Sequence, residues 1–318
     1  MTEDFRTRLG LCCTFKEAPI SFRTTTVRHL TNLRASSGKE FAYLSAIAKD
    51  NCQSLLKAIQ YCSSNRIGAF RINSQFLPAY THPEVGYTLD DLPESDEIKH
   101  LLHTAKNLAQ ERNIRLTFHP DQFVVLNSPR SEVVEQSILE LEYHGILADL
   151  VGADVINIHG GGAYGNKAEA LDRFAINFSR LSPNVREKLT LENDDRTYTP
   201  SDLIDFCKRI GIPFVYDVHH HRCLPDTLSI EEATALALST WNREPLFHLS
   251  SPKDGWKSPK PHLHHDFINV LDMPEFWISI RPLTIDIEAK GKELALSMLR
   301  NDLKNSGWKI TSKNRTTL

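Results

Sequence analysis

The chain has 318 residues, 41% of them hydrophobic, and a formal net charge of −3, so it can bury a large core but lacks the overall positive charge of many nucleic-acid-binding proteins. Residues 1–8 are polar and charged, unlike a signal peptide, and no run approaches the roughly 18 apolar residues of a membrane span. The six cysteines show neither a zinc-binding CxxC spacing nor a secreted disulfide framework, which favours reduced thiols in a cytoplasmic protein.

Short apolar runs alternate with longer amphipathic stretches along the chain. The predicted strands are 7–13, 69–72, 115–119, 154–159, 188–192, 213–218, 246–249 and 283–288. The predicted helices are 39–65, 95–111, 131–151, 167–181, 201–210, 230–241, 265–271 and 292–304. Eight uninterrupted strand–helix units predict one α/β domain, a single (β/α)8 TIM barrel over residues 1–318, with a frayed tail from about residue 309. An open doubly wound sheet is the alternative.

One long connection interrupts the regular alternation. Residues 73–94, which follow the second predicted strand, are rich in proline, histidine and tyrosine. Loops of this length inside a compact domain are uncommon and are often functional. We therefore expect this segment to contribute to a binding site.

Side chains that can bind a metal stand at the ends of most predicted strands, and the chain has fourteen histidines. The candidates are His119, His159, Glu192, Asp217, His248 and Glu288, with His220 just after Asp217, and His82 and His264 in the loops after the second and seventh strands. In a βα barrel the carboxyl ends of all strands meet at one rim. The set exceeds the needs of one tetrahedral ion and predicts two or three divalent cations, bridged by carboxylates such as Glu192 and Glu288.

Each histidine taken alone has a simpler interpretation. A histidine at the end of a buried strand is more often a hydrogen-bonded structural residue than a ligand. The run His219–His221 could be an exposed loop in which only one residue binds metal. Repetition at successive strand ends favours the metal site, because charged groups are costly to bury without a partner or an ion.

Four sequence blocks resemble the UV damage endonucleases, and the likeness extends from Arg8 to Glu293. The blocks are His119–Phe123 (HPDQF), His159–Gly165 (HGGGAYG), Leu191–Asp194 (LEND) and Glu288–Glu293 (EAKGKE). The resemblance implies a barrel enzyme with three cations, often manganese, that nicks damaged double-stranded DNA immediately 5′ of a lesion. Zinc and magnesium are the alternative ions. Its implied metal ligands are His82, His119, His159, Glu192, Asp217, His220, His248, His264 and Glu288, with His262 and His265 as rivals of His264.

The chain departs from the family pattern at three positions. Phe123 stands where some members have tyrosine, so a stacking face remains but a hydroxyl is lost. Leu246 replaces a lysine that is modified in some members, and Leu11 replaces a tyrosine of the first strand. These departures leave the predicted metal chemistry intact and leave the lesion preference open.

In this interpretation Glu192, Asp217 and Glu288 are the catalytic carboxylates that hold the ions, and the cations attract DNA to an acidic chain. Gln122 and Phe123 are predicted to fill the gap left by extruded nucleotides. The segment 253–261, here called the lysine arm, is predicted to contact phosphates. Its candidate DNA-binding residues are Lys253, Trp256, Lys257 and Lys260, although Trp256 could instead pack locally.

Three other functions remain compatible with the sequence. A related barrel endonuclease that cuts at abasic sites would share much of the ligand set. A metal-dependent sugar isomerase on the same fold would need a small closed pocket and no DNA-binding surface. A non-catalytic binding protein would not need the metal ligands. No membrane and no obligate protein partner is expected.

Overall fold

Eight parallel strands form a closed barrel in the computed structural model, which describes residues 7–305. The strands are β1 (Thr7–Cys12), β2 (Ala69–Ile72), β3 (Arg115–Phe118), β4 (Val155–His159), β5 (Leu189–Glu192), β6 (Phe214–Asp217), β7 (Leu246–Leu249) and β8 (Leu283–Ile287). Each strand pairs with the next, and β1 closes the barrel against β8. The predicted TIM barrel is confirmed, while the predicted frayed tail lies outside the described residues.

Ten α-helices accompany the strands within residues 7–305. They are α1 (Val27–Ser37), α2 (Glu40–Ser64), α3 (Ser95–Glu111), α4 (Ser131–Val151), α5 (Lys167–Phe178), α6 (Pro183–Lys188), α7 (Pro200–Ile210), α8 (Val218–Cys223), α9 (Ile230–Leu238) and α10 (Glu293–Asn305). Local sequence sets their ends, as α7 shows. Thr199 and Asp202 form a capping box around Pro200, and Gly211 ends the helix at φ 76°.

The register of the strands brings predicted ligands side by side. His159 of β4 pairs with Glu192 of β5, and Asp217 of β6 pairs with His248 of β7. Residues at the carboxyl ends of adjacent parallel strands therefore share one rim, as expected for this fold. The barrel architecture, rather than any local motif, assembles the site.

The barrel interior is apolar at one level and polar above it. Val155, Val215 and Leu246 form a small apolar cluster of their own, separate from the main core that packs the helices against the strands. Leu246 and His248 lie two residues apart on β7 and so point to the same side. The leucine at the modified-lysine position therefore lies below the rim. Buried polar residues occupy other strand positions: Arg71, Thr117, Asn157, Thr190, Thr284 and Asp286.

The predicted helix at 265–271 is wrong. A short 3₁₀ segment, Val270–Asp272, overlaps only the end of this range, and a second, Glu275–Ser279, follows it. Residues 265 and 266 form backbone hydrogen bonds with the segments around Ser251 and Lys290, so they are not available for helical bonds. Pro274 prevents a helix from continuing through this region.

Three helices were not predicted, namely α1, α6 and α8. The most consequential is α8, because it contains the histidine run that was considered as an exposed loop. His219 and His221 are buried, and Asp217 caps the helix by accepting a hydrogen bond from the backbone N–H of His220 at 2.8 Å. The run is thus a short capped helix that starts directly at the end of β6.

The remaining expectations about the chain concern its cysteines and membrane segments. All six cysteines are unpaired, and four are buried (Cys12, Cys52, Cys62 and Cys207). No helix within residues 7–305 has the length and apolar character needed to traverse a bilayer.

Candidate metal centre and DNA cleft

A large cleft of about 1170 Å³ opens at the carboxyl-terminal rim of the barrel. Its wall includes strand-end residues together with the loops after β3, β4 and β5. The predicted residues that line it are His119, Gln122, Phe123, His159, His220, His264 and Glu288. A cleft of this size and position can admit a macromolecular substrate.

Glu192 lies at the centre of the site and is fully buried. One carboxylate oxygen, Oε2, lies 3.1 Å from His119 Nε2 and 4.0 Å from His159 Nε2. The other, Oε1, lies 3.0 Å from His248 Nδ1 and 3.4 Å from His220 Nδ1. One carboxylate thus contacts four imidazoles, of which three come from the ends of β3, β4 and β7 and one from α8 directly after β6.

The ligand atoms form three groups, each with its members within 4.8 Å of one another. The groups are His119–Glu192–His248, His159–Glu192–His220 and Asp217–His248–Glu288. Several buried atoms in them have no hydrogen-bond partner: Asp217 Oδ2, His159 Nδ1 and His248 Nε2. Buried polar atoms are rarely left unpaired, and imidazole nitrogens with carboxylate oxygens suit divalent transition metals. These residues can therefore bind metal ions.

The electrostatics of the centre keep Glu192 and Glu288 ionised. Burial opposes ionisation of Glu192, but His248 and His159 hold the pKa of its carboxyl well below the usual range. Burial also opposes ionisation of Glu288, but Arg71 and His248 lower its carboxyl pKa strongly. Burial lowers the pKa of the His248 imidazole, yet Glu192 and Glu288 outweigh it and raise that pKa to about 9. The buried negative charge favours cations.

Amide side chains behind the ligands fix their orientation. Asn157 of β4 donates to Glu192 Oε2 at 2.5 Å and accepts from the Thr190 hydroxyl at 2.9 Å. Asn193 donates to the backbone carbonyl of Asp217 and accepts from its backbone N–H. Such supporting hydrogen bonds hold metal ligands in place. Sequence reasoning missed both residues because it considered only groups that bind metal directly.

A buried charge cluster links Glu288 to the barrel interior. Arg71 of β2 lies 2.5 Å from Glu288 Oε1 and 3.2 Å from Asp286 Oδ2, and it also contacts Cys12 Sγ at 2.9 Å. Asp286 is fully buried and presses against Gly10, where an added Cβ would lie 2.0 Å from Oδ1. Arg71 and Asp286 were not predicted, although each is a charged residue inside an otherwise apolar strand.

Two predicted ligands lie apart from these three groups. His264 Nδ1 lies 3.8 Å from Glu288 Oε2 and its ring contacts that of His219 at 5.3 Å, so it borders the centre. His82 lies in the loop after β2, where its Nδ1 accepts from the backbone N–H of Glu84 at 3.2 Å. Within the described residues His82 belongs to none of the three groups and does not line the cleft. The two residues remain predictions as ligands.

Gln122 and Phe123 occupy the tip of a tight turn after β3. The backbone N–H of Val124 donates to the carbonyl of Asp121 at 2.9 Å, which closes the turn. The turn is anchored where Val125 N–H donates to the Ser137 hydroxyl at 3.0 Å. Phe123 is 77% exposed despite its apolar ring. An anchored turn that presents an exposed aromatic ring to the cleft suits insertion into a base stack.

The lysine arm is a loop closed at its base by an antiparallel bridge between Pro252 and His264. Its three lysines are exposed, and Trp256 is also 37% exposed but has partners within the protein. The Trp256 indole donates to Asp272 Oδ1 at 2.8 Å, packs on the His219 ring at 5.1 Å and lies under the Arg222 guanidinium. These contacts support local packing for Trp256 and leave the lysines free to meet a ligand.

Comparison with known proteins identifies a family. The model of the family described as UV-endonuclease UvdE matches residues 7–315. A Bacillus velezensis protein named UV DNA damage endonuclease is 34% identical over 293 residues, which is 88% of each chain. The crystal structure of SacUVDE superposes with a TM-score of 0.83 and 30% identity, covering 95% of this chain and all of that one.

More distant structures share the fold alone. Endonuclease IV from Thermus thermophilus superposes with a TM-score of 0.58 at 15% identity, over 94% of this chain and 99% of that one. At this identity the likeness shows a common barrel and does not transfer an activity.

Proposed function

Because the chain belongs to the UV-endonuclease UvdE family, it is a UV DNA damage endonuclease, and we propose that it uses two or three divalent cations, with manganese favoured over zinc or magnesium, to nick duplex DNA immediately 5′ of the lesion. The observation that carries this proposal is the position of Glu192. This one buried carboxylate contacts four imidazoles at the bottom of an open cleft. The cleft is large and open, whereas a sugar isomerase would need a small closed pocket.

The chain's own residues have distinct roles in this proposal. Glu192 bridges two of the ligand groups, and Asp217 and Glu288 complete the third with His248. Divalent cations held there would supply neutralisation of the phosphodiester, Lewis-acid activation of the attacking water and stabilisation of the leaving oxygen. Asn157 keeps Glu192 oriented, and Arg71 keeps Glu288 ionised and fixed. These contacts hold both carboxylates in position in the absence of DNA.

The experiment that tests the proposal is nicking of supercoiled plasmid with and without ultraviolet irradiation. We expect nicking of irradiated plasmid only, its loss after exhaustive chelation, and its recovery on adding Mn²⁺. Elemental analysis of the purified protein should find two or three divalent ions per chain. Full activity after chelation would contradict the metal proposal, and equal nicking of both plasmids would contradict lesion selectivity. Sequencing of the nicked strand ends decides whether the cut lies 5′ of the lesion.

Phe123 is expected to contribute directly to damage recognition. Replacing Phe123 with alanine should weaken the discrimination between damaged and undamaged DNA by about 1–3 kcal/mol, the usual contribution of base–aromatic stacking. Phe123→Tyr should be near neutral because the ring remains. Competition binding with irradiated and intact duplex measures the effect, and the exposed Ile176 on α5 supplies the control substitution Ile176→Ala. A wild-type ratio in Phe123→Ala would remove Phe123 from the recognition surface.

The lysine arm is expected to bind phosphates without regard to damage. Each lost phosphate contact lowers the slope of log affinity against log salt by about 0.9 for duplex DNA. The double variant Lys257→Ala with Lys260→Ala should therefore weaken binding to both kinds of duplex and flatten the slope by roughly one to two units. Lys57→Ala with Lys208→Ala, on the outer helices α2 and α7, is the matched control. An unchanged slope in the arm variant would exclude these lysines from the interface.

The cytoplasmic location and the absence of an obligate protein partner stay predictions. Lys253, the third lysine of the arm, is also proposed as a phosphate contact. Trp256 stays a predicted DNA contact, although its partners Asp272, His219 and Arg222 favour a role in shaping the arm.

A further inference from the structure

The loop after β4 presents a second exposed aromatic ring to the cleft. Tyr164 is 49% exposed and lines the same cleft as Phe123, which belongs to the loop after β3. The two rings therefore come from neighbouring loops of one rim. Tyr164 is not one of the candidate metal ligands, and the chemistry of the metal centre leaves it without a role.

The backbone of this loop is unfavourable for a tyrosine. Tyr164 has φ 48° and Gly165 has φ 89°, and the backbone N–H of Asn166 donates to the carbonyl of Ala163 at 3.0 Å. A turn with positive φ at both central positions normally selects asparagine, aspartate or glycine. A bulky residue held in this conformation points to a use for its side chain.

The surrounding contacts hold the loop firmly. The Asn127 amide donates to the carbonyls of Gly160 at 2.6 Å and Gly162 at 2.8 Å. The Arg173 guanidinium lies 5.7 Å from the centre of the Tyr164 ring, and it also donates to the Asn127 carbonyl at 3.0 Å. The cation–π contact occupies part of the ring and fixes its orientation, while about half of the side chain remains open to the cleft.

We propose that Tyr164 stacks on an unpaired base of damaged DNA, so that the cleft grips the distorted site between Phe123 and Tyr164. Bases offer a flat π face to any aromatic ring, whatever their sequence. An enzyme that reaches a lesion within a duplex must draw nucleotides out of the stack, whereas intact duplex keeps its bases paired. Tyr164 would therefore bind the damaged complex selectively. This inference rests on the proposed cutting of DNA in this cleft.

The test compares two substitutions at Tyr164. Tyr164→Asn removes the ring but suits the left-handed backbone, so the variant should fold with a thermal midpoint at or above that of the wild type. Tyr164→Phe keeps the ring and removes the hydroxyl. Binding is measured by fluorescence anisotropy with two short duplexes of one sequence, with and without a single cyclobutane pyrimidine dimer. Ile176→Asn, an exposed position on α5, is the control.

We expect Tyr164→Asn to lose about 5- to 150-fold in affinity for the damaged duplex, the range that corresponds to one stacked base. Affinity for the intact duplex should stay within about twofold, as should both affinities of Tyr164→Phe and Ile176→Asn. The inference is overturned if Tyr164→Asn binds damaged duplex like the wild type, if it loses affinity equally for both duplexes, or if Tyr164→Phe loses as much. In each of these cases nicking of irradiated plasmid by the wild type would leave the proposed function in place. A wild type that fails to nick it would instead overturn the proposed function, and this inference with it.

Discussion

Replacing Glu192 with glutamine should reduce nicking of irradiated plasmid below detection and remove most of the bound metal. The substitution keeps the size of the side chain but takes away the charge and one acceptor oxygen that contact four imidazoles. Because Glu192 belongs to two of the three ligand groups, both groups should lose their metal in this variant. Nicking assays and elemental analysis of the same preparation measure the two losses.

The matched control is Glu187→Gln, which changes an exposed glutamate on α6 just before the same strand. It should keep wild-type activity and metal content. Circular dichroism should show both variants folded, since glutamine can still accept from Asn157. Substantial nicking by metal-depleted Glu192→Gln would mean that the carboxylate is not essential and that the centre lies elsewhere on the rim.

Replacing Arg71 with methionine should destabilise the metal-free protein by about 3–5 kcal/mol, the usual effect of breaking a buried ion pair. The substitution leaves Asp286 buried without its cationic partner, and it also frees Glu288 from its 2.5 Å contact. Urea unfolding in the presence of a chelator measures the change without a contribution from bound ions. A loss below about 1 kcal/mol would show that water or a rearranged side chain replaces the guanidinium.

A double-mutant cycle separates the pair from the rest of the site. Asp286→Asn alone should also destabilise the protein, because asparagine keeps the shape but not the charge. Arg71→Met with Asp286→Asn should be more stable than the sum of the single changes predicts, since the second change removes the uncompensated buried charge. Additive effects would show that Arg71 acts mainly through Glu288.

The sequence was sufficient to predict the barrel and the proximity of most of the proposed ligands, because both depend on periodic patterns. Apolar runs that alternate with amphipathic stretches define β/α units. The closure of the barrel then brings strand ends such as His119, Glu192 and His248 together, independently of the loop conformations. The prediction of a ligand cluster thus followed from topology.

The parts that could not be predicted depend on tertiary contacts. The helix expected at 265–271 does not form because its backbone bonds to residues near Ser251 and Lys290, a competition that no local pattern reveals. The six-residue helix α8 is too short for periodicity and depends on capping by Asp217. Arg71 and Asp286 lie on strands that are distant in sequence and become partners only when β1 closes the barrel between β2 and β8.

The sharing of Glu192 between two ligand groups has a thermodynamic consequence. If the proposed ions bind, occupation of the His119–Glu192–His248 group would change the affinity of the His159–Glu192–His220 group, and occupation of the second group would change the affinity of the first by the same factor. The proposed ions would then not bind or dissociate as independent equilibria. We therefore expect metal titrations of this protein to follow a linked binding scheme and not a sum of separate isotherms.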